Sequence, residues 1–215
     1  ENTSSPPDFY FEATAGKIIF TTAGTDASNR SAFTISGHNK FYNIEATGDF
    51  ANLTVDDKNN FHDATFSGNN GNITFDKSNS FNDALFTGEE SIIEFKDDDA
   101  FETLTFTGKK STVKFGANKT QTVHTKLSSV GGTGTGEEIL LTTNATTPSK
   151  NKSTWWILVW QTNYPGADDS ASTEFTETII EYSQAFAIEK DNNTTITHDW
   201  GASVSEGAGA STSGW

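Results

Sequence analysis

The chain has 215 residues, with 29 acidic and 14 basic side chains and no cysteine. Its formal net charge of −15 argues against nucleic acid or an anionic membrane as a partner, because both repel an acidic surface. Its longest apolar run, WWILVW, is far shorter than the roughly 20 residues of a membrane span, so we expect no membrane insertion. The lack of cysteine excludes disulfides and thiolate metal sites.

Residues 1–20 begin with the irregular stretch SSPPD and continue with FYFEATAGKIIF, which we interpret as an N-terminal strand segment. From residue 41 the sequence repeats every twenty residues, and a repeat of this length indicates stacked structural units. Each copy opens with Phe and has apolar residues three and five positions later, glycine after seven, and a second apolar pair after twelve and fourteen. The six columns are Phe41, Phe61, Phe81 and Phe101; Ile44, Ala64, Ala84 and Leu104; Ala46, Phe66, Phe86 and Phe106; Gly48, Gly68, Gly88 and Gly108; Leu53, Ile73, Ile93 and Val113; and Val55, Phe75, Phe95 and Phe115.

The repeat extends weakly beyond these four copies. Phe33 and Ile35 fit the last two columns of an earlier copy. After residue 120 the register blurs, although Ile139 and Leu141 resemble one further pair. We therefore place the repeat region at residues 21–141.

The spacing within each copy decides its secondary structure. Apolar residues two positions apart lie on one face of a strand, and the 3.6-residue spacing of a helix is absent from the repeat. Each copy therefore predicts two short strands. A twenty-residue unit cannot bury its own apolar face, but stacked copies can bury a continuous core. The sequence predicts an all-β protein, a parallel β-solenoid with one coil per copy.

Two columns need separate explanations. Glycine after the first strand predicts a sharp corner, with φ > 0 at most of the four positions. The column that begins at Phe41 has the wrong parity for the strand that follows, so we expect it at a corner, packed inward as an aromatic ladder. Phe86 should be buried between Phe66 and Phe106.

Polar side chains in the repeat give little sign of a catalytic or metal site. Asp97, Asp98 and Asp99 could supply oxygens to calcium, but neighbouring strand residues point to opposite faces, and a solvated turn is the favoured interpretation. The four histidines show no metal-ligand spacing. We expect no cofactor, with calcium as a weak alternative.

Residues 142–215 open with the polar loop TTNATTPSKNKS and contain further strand-like stretches before a Gly/Ser-rich tail. The run at 155–160 fits a buried strand or a cap over the end of the solenoid. The alternative is an aromatic platform for sugar rings or a contact with another subunit. We keep four tryptophans as a possible interface: Trp155, Trp156, Trp160 and Trp215.

The F-x-x-[AL]-x-F-x-G…[IV]-x-F unit resembles the repeats of secreted β-helix surface proteins, namely filamentous haemagglutinin-like exoproteins and autotransporter passengers. The IEYSQAFAI stretch followed by NNTTI is similar to their closing coils. This resemblance implies export, an elongated body and an adhesive or structural role. Nine N-x-S/T triplets also fit an extracellular, cell-surface location.

Three functional classes follow. We favour a non-enzymatic structural protein that self-assembles through β-strand edges into a homopolymer such as a sheath, layer or fibre. The alternative is an adhesin module that binds a host surface or polysaccharide, with glycans as partners. A polysaccharide lyase or hydrolase is the remote third class, because Arg30 is the sole arginine and the carboxylates fall mostly in predicted turns.

Overall fold

The computed structural model describes residues 11–12, 14–147, 154–161, 172–188, 195–196 and 212–213. The regular elements within these ranges are β-strands. They are β1 (Phe11–Glu12), β2 (Lys17–Phe20), β3 (Ser31–Ile35), β4 (Asn39–Ala46), β5 (Ala51–Val55), β6 (Asn59–Phe66), β7 (Asn72–Phe75), β8 (Ser80–Phe86), β9 (Ile92–Phe95), β10 (Asp99–Phe106), β11 (Thr112–Phe115), β12 (Thr120–Val130), β13 (Ile139–Thr143), β14 (Trp156–Gln161), β15 (Ser172–Thr176), β16 (Thr178–Ile180), β17 (Ser183–Ile188), β18 (Thr195–Ile196) and β19 (Thr212–Ser213).

The strands form two sheets whose order follows the chain. The large sheet runs β1-β4-β6-β8-β10-β12-β14-β17-β18, with β2 beside β4, β15 beside β12 and β19 beside β17. The small sheet runs β16-β13-β11-β9-β7-β5-β3. Among the described strands, pairing is parallel except between β17 and β18. The fold is therefore an all-β parallel solenoid, as the twenty-residue repeat predicts.

One coil consists of a long strand in the large sheet, a turn, a short strand in the small sheet and a return turn. Phe61 pairs with Phe81 in the large sheet, and Ile73 pairs with Ile93 in the small sheet. Residues twenty apart are thus direct neighbours. The earlier copy is also present, because Phe33 pairs with Leu53.

The long strands contain a bend that the repeat alone does not reveal. In β6, Phe61, Ala64 and Phe66 are buried, while His62 and Asp63 between them face outward. Two successive outward residues change the parity of the strand. The column that begins at Phe41 therefore points inward, but it lies within a strand that continues through the bend.

The two sheets extend past both ends of the predicted repeat region. At the N-terminal side, β2 pairs with β4, with Ile18 beside Ile44. At the C-terminal side, Leu141 pairs with Ile180, and β14 lies between β12 and β17 in the large sheet. Strands from residues 1–20 and 142–215 therefore belong to the solenoid sheets.

Candidate functional site

The core of the solenoid is a set of stacked phenylalanine columns. Phe86 is buried, with its ring centroid 4.7 Å from that of Phe66 and 5.3 Å from that of Phe106. A second column in the large sheet stacks in the same way. Phe75 of the small sheet meets Phe66 edge-on at 5.7 Å. Offset stacks along the axis and edge contacts across it are both favourable arrangements of aromatic rings.

The glycine column stacks as one row, but its expected backbone conformation is wrong. Gly48, Gly68, Gly88 and Gly108 do not have φ > 0. Glycine is needed here because neighbouring coils approach too closely for a side chain: a Cβ on Gly88 would lie 2.1 Å from the carbonyl oxygen of Gly68. The left-handed conformation occurs two residues later, with φ between 51° and 57°, at Phe50, Asn70, Glu90 and Lys110.

A buried amide ladder at the start of the long strands was missed by the sequence reasoning. Asn39 Nδ2 donates to Asn59 Oδ1 at 2.9 Å, and the main-chain N–H of Asn59 donates to Asn79 Oδ1 at 3.0 Å. Asn79 donates in turn to Asp99 Oδ1, from N–H at 2.7 Å and from Nδ2 at 3.3 Å. The signal was present in the sequence, because these four residues are spaced by twenty.

The three aspartates at 97–99 have different environments. Asp97 pairs with Lys119 at 2.5 Å, which lowers the pKa of Asp97. Asp98 is exposed and accepts the Thr120 N–H at 2.6 Å. Asp99 is only 2% exposed, so the expectation of a solvated turn is wrong for this residue. Among the described residues, no group of three or more His, Asp or Glu side chains could hold a metal ion.

Two tryptophans, Trp155 and Trp156, extend the core instead of forming a surface patch. Trp156 is 1% exposed, stacks against Phe115 with centroids 4.3 Å apart, and donates from Nε1 to the Glu181 carbonyl oxygen at 3.1 Å. Trp155 is also buried. The burial of Trp155 and Trp156 fits the favoured interpretation of a buried strand, and neither side chain offers exposed surface for the alternative interface. The side chain of Trp160 and the whole of Trp215 lie outside the described residues.

The two ends of the large sheet differ. At the N-terminal end β1 and β2 are the outermost of the described strands. Ile19 of β2 is 48% exposed. At the C-terminal end β17 is flanked by β19 at Ser183 and Gln184 and by β18 at Ala187 and Ile188. The C-terminal edge is thus partly covered by the same chain.

A cleft of about 540 Å³ runs across the long strands on their outer face. Tyr42 and His62 stack along one side of it, with ring centroids 4.7 Å apart, and His62 Nδ1 lies 3.0 Å from Asp63 Oδ1. Asn60 and Asn82 also line the cleft. This set of hydroxyl, imidazole and amide groups can hydrogen-bond a polar ligand but contains no pair of carboxylates arranged for hydrolysis.

Comparison of the chain with family models, with curated proteins and with solved structures finds no match. Within the described ranges, no helix is long and apolar enough to cross a membrane. The fold itself identifies the chain as a β-helix repeat protein.

Proposed function

We propose that this chain is a non-enzymatic extracellular structural protein whose copies join through β-strand edges into a cell-surface sheath, layer or fibre. The supporting observation is the N-terminal edge of the large sheet, where an apolar strand, β2, is outermost among the strands that the structure describes. A terminal strand presents main-chain N–H and C=O groups that can pair with another chain. The filamentous haemagglutinin-like and autotransporter-like resemblance of the repeat agrees with export and with an elongated body.

The direction of the main-chain groups in β2 supports strand addition. The Phe20 carbonyl oxygen accepts the Thr47 N–H at 2.9 Å, so the main-chain groups of Phe20 point toward β4. Because these directions alternate along a strand, the N–H of Ile19 points toward the outer edge. The exposed Ile19 side chain adds apolar area to the same edge.

The C-terminal edge narrows the possible mode of assembly. β18 and β19 each have two residues, and they pair with opposite ends of β17. β18 and β19 together pair with four residues of β17, and β2 has four residues. A β2 strand from another copy that displaced only one of the two would replace two register pairs with up to four. We therefore expect β2 of one copy to compete with β18 and β19 for β17 of the next.

Sedimentation velocity at high protein concentration and moderate salt tests this proposal. Salt should promote assembly, since a net charge of −15 on every copy opposes it. Ile19→Pro removes the outward N–H without removing a β2–β4 hydrogen bond and should leave the protein monomeric. Ile19→Val keeps the N–H and should assemble. A persistent wild-type monomer, or a proline variant that assembles normally, contradicts the proposal.

The cleft beside Tyr42 and His62 favours a second candidate, an adhesin module that binds polysaccharide. Its polar groups suit the hydroxyls of an uncharged glycan better than an acidic one, given the charge of the chain. Titration of the monomer with cellohexaose and with a polygalacturonate hexamer, monitored by the NMR signals of the Tyr42 and His62 rings, tests this function. Saturable binding by a chain that never assembles would favour the adhesin.

A further inference from the structure

The amide ladder changes its chemistry at Asp99. In the preceding coils Asn59 and Asn79 accept at Oδ1 from the coil before. The Nδ2 of each ladder asparagine donates to a turn carbonyl of its own coil; Asn59 Nδ2, for example, donates to the Asp57 carbonyl oxygen at 2.7 Å. Asp99 Oδ1 keeps the acceptor role toward Asn79. Its second carboxyl oxygen, Oδ2, occupies the place of the donor Nδ2.

The next coil compensates for the missing donor. Gln121 is the register partner of Asp99 and is fully buried. Its Nε2 donates to the Asp97 carbonyl oxygen at 2.9 Å, which is the turn carbonyl that the ladder pattern assigns to residue 99. Two buried side-chain oxygens then have no hydrogen-bond partner among the described residues, Asp99 Oδ2 and Gln121 Oε1. Two acceptor oxygens on neighbouring strands can form a hydrogen bond with each other only if one of them carries a proton.

We propose that Asp99 is a neutral carboxylic acid in the folded protein, that its Oδ2–H donates to Gln121 Oε1, and that loss of this proton is a pH-sensitive switch at the joint between β10 and β12. With the proton in place, the ladder continues from Asn39 to Gln121 without a break. Without it, a buried negative charge faces an amide oxygen, and the pairing of β12 on β10 is weakened.

The electrostatic surroundings support a retained proton. Burial raises the pKa of the Asp99 carboxyl well above its usual range, and the nearby carboxylates Asp97 and Asp98 raise it further. The two hydrogen bonds from Asn79 act in the opposite direction. Lys119 of the following coil is paired with Asp97. The neighbours of Asp99 in the two adjacent coils, Asn79 and Gln121, are uncharged amides.

A depression on the outer surface is lined by Asp98 and Asp99 and also by Lys58 and His38, which belong to earlier coils. They do not replace the missing donor, because the Asp99 carboxyl is buried and its Oδ2 is sealed from that depression.

The sign of the pH dependence follows from this assignment. In the unfolded chain an aspartate ionises near pH 3.9. The folded protein holds the Asp99 proton to a higher pH, so between the two values the folded state binds more protons. The contribution of Asp99 to stability is therefore complete below the unfolded pKa, falls as pH rises, and levels off above the folded pKa.

Equilibrium urea unfolding of the wild type, Asp99→Asn and Asp98→Asn across a pH series tests the proposal. Asn at position 99 supplies a permanent donor, so the unfolding constant of the wild type relative to Asp99→Asn should rise with pH by up to about tenfold per unit. Asp98→Asn, the exposed neighbour, should keep the pH-dependent rise of the wild type, ending at a slightly lower pH because one nearby carboxylate is removed. The carboxyl carbon-13 signal of Asp99 should report a protonated group at pH values where aspartates of the unfolded chain are already ionised.

Parallel curves for wild type and Asp99→Asn, or a carboxyl signal that titrates near pH 4, overturn the proposal. A double-mutant cycle between Asp99→Ala and Gln121→Ala checks the partner separately. Its coupling should be favourable at acidic pH and lost at alkaline pH. A coupling that does not change with pH rules out Gln121 as the acceptor.

Discussion

Two regions of the solenoid differ in their strand register and in the side chains of their cores. The first comprises the coils between residues 31 and 115, and the second comprises the coils after residue 116. In the first region, pairing keeps an offset of twenty residues in both sheets. In the second region the offset grows to 22 at Val123 and 28 at Leu141, and the pairing of β10 with β12 contains a register shift. The first region stacks phenylalanines, whereas buried serines and threonines are common in the second.

This difference shows what a constant coil length makes possible. Identical side chains can stack only if every copy places them at the same height and angle, so rings, amides and glycines form ladders only where the spacing is constant. In the later coils Ser129 occupies the column of Phe106, and Thr143 that of Phe115. The ladders end there, and Trp156 and Gln121 cover two of them.

The largest expected effect is the loss of a ring from the constant region. Phe86→Ala should reduce the free energy of unfolding by about 3–5 kcal/mol, because the cavity is enclosed by rings above and below. Ser129→Ala, in the same column of the later coils, should cost about 1 kcal/mol through its hydrogen bond from Thr178 Oγ1. Chemical denaturation measures both. Equal losses would contradict the contrast between the two regions.

Glycine substitution tests the close approach of the coils. Gly88→Ala puts a methyl group against the Gly68 carbonyl oxygen and should cost roughly 1–3 kcal/mol, since the backbone must shift. Gly71→Ala is the matched control, because its Cβ would meet its nearest atom at an ordinary 3.4 Å. If thermal unfolding shows the same cost for both variants, close approach is not the reason for the glycine column.

The smallest expected effect concerns the surface ion pairs between coils. Lys110 Nζ lies 3.2 Å from Glu90 Oε1, and both side chains are about half exposed. Lys110→Ala should change the free energy of unfolding by no more than about 0.5 kcal/mol, and salt should reduce this further. A double-mutant cycle with Glu90→Ala measures the pair. A coupling as large as the loss in Phe86→Ala would mean that charge, not the aromatic core, distinguishes the constant coils.

The sequence was sufficient to predict the solenoid, its coil length and its inward columns, because a twenty-residue spacing translates directly into neighbours on adjacent strands. The sequence was misleading about the backbone conformation of Gly48 and its equivalents. Glycine is favoured both where φ is positive and where another backbone approaches closely, and a sequence does not distinguish these two reasons. The asparagine ladder follows the same twenty-residue spacing, but its members are polar, so a pattern of apolar columns does not include them.

Other features were beyond the repeat pattern. Trp156 and Ile180 continue the core, but they do not follow the twenty-residue spacing, because the loops before their strands differ in length from those of the repeat. The repeat therefore does not predict their positions. The cleft beside Tyr42 depends on the bend in the long strands, which follows from two successive outward residues such as His62 and Asp63. Burial of Asp99 depends on its neighbours in two other coils.

Fibre diffraction from aligned assemblies, with electron microscopy of the same sample, tests the proposed strand addition most directly. If copies continue one another's sheets, strands lie across the long axis, and a reflection at about 4.7–4.9 Å should fall along that axis. The polymers should be extended and absent from Ile19→Pro samples. Separate particles at high concentration and moderate salt, or polymers without the axial reflection, would contradict the account.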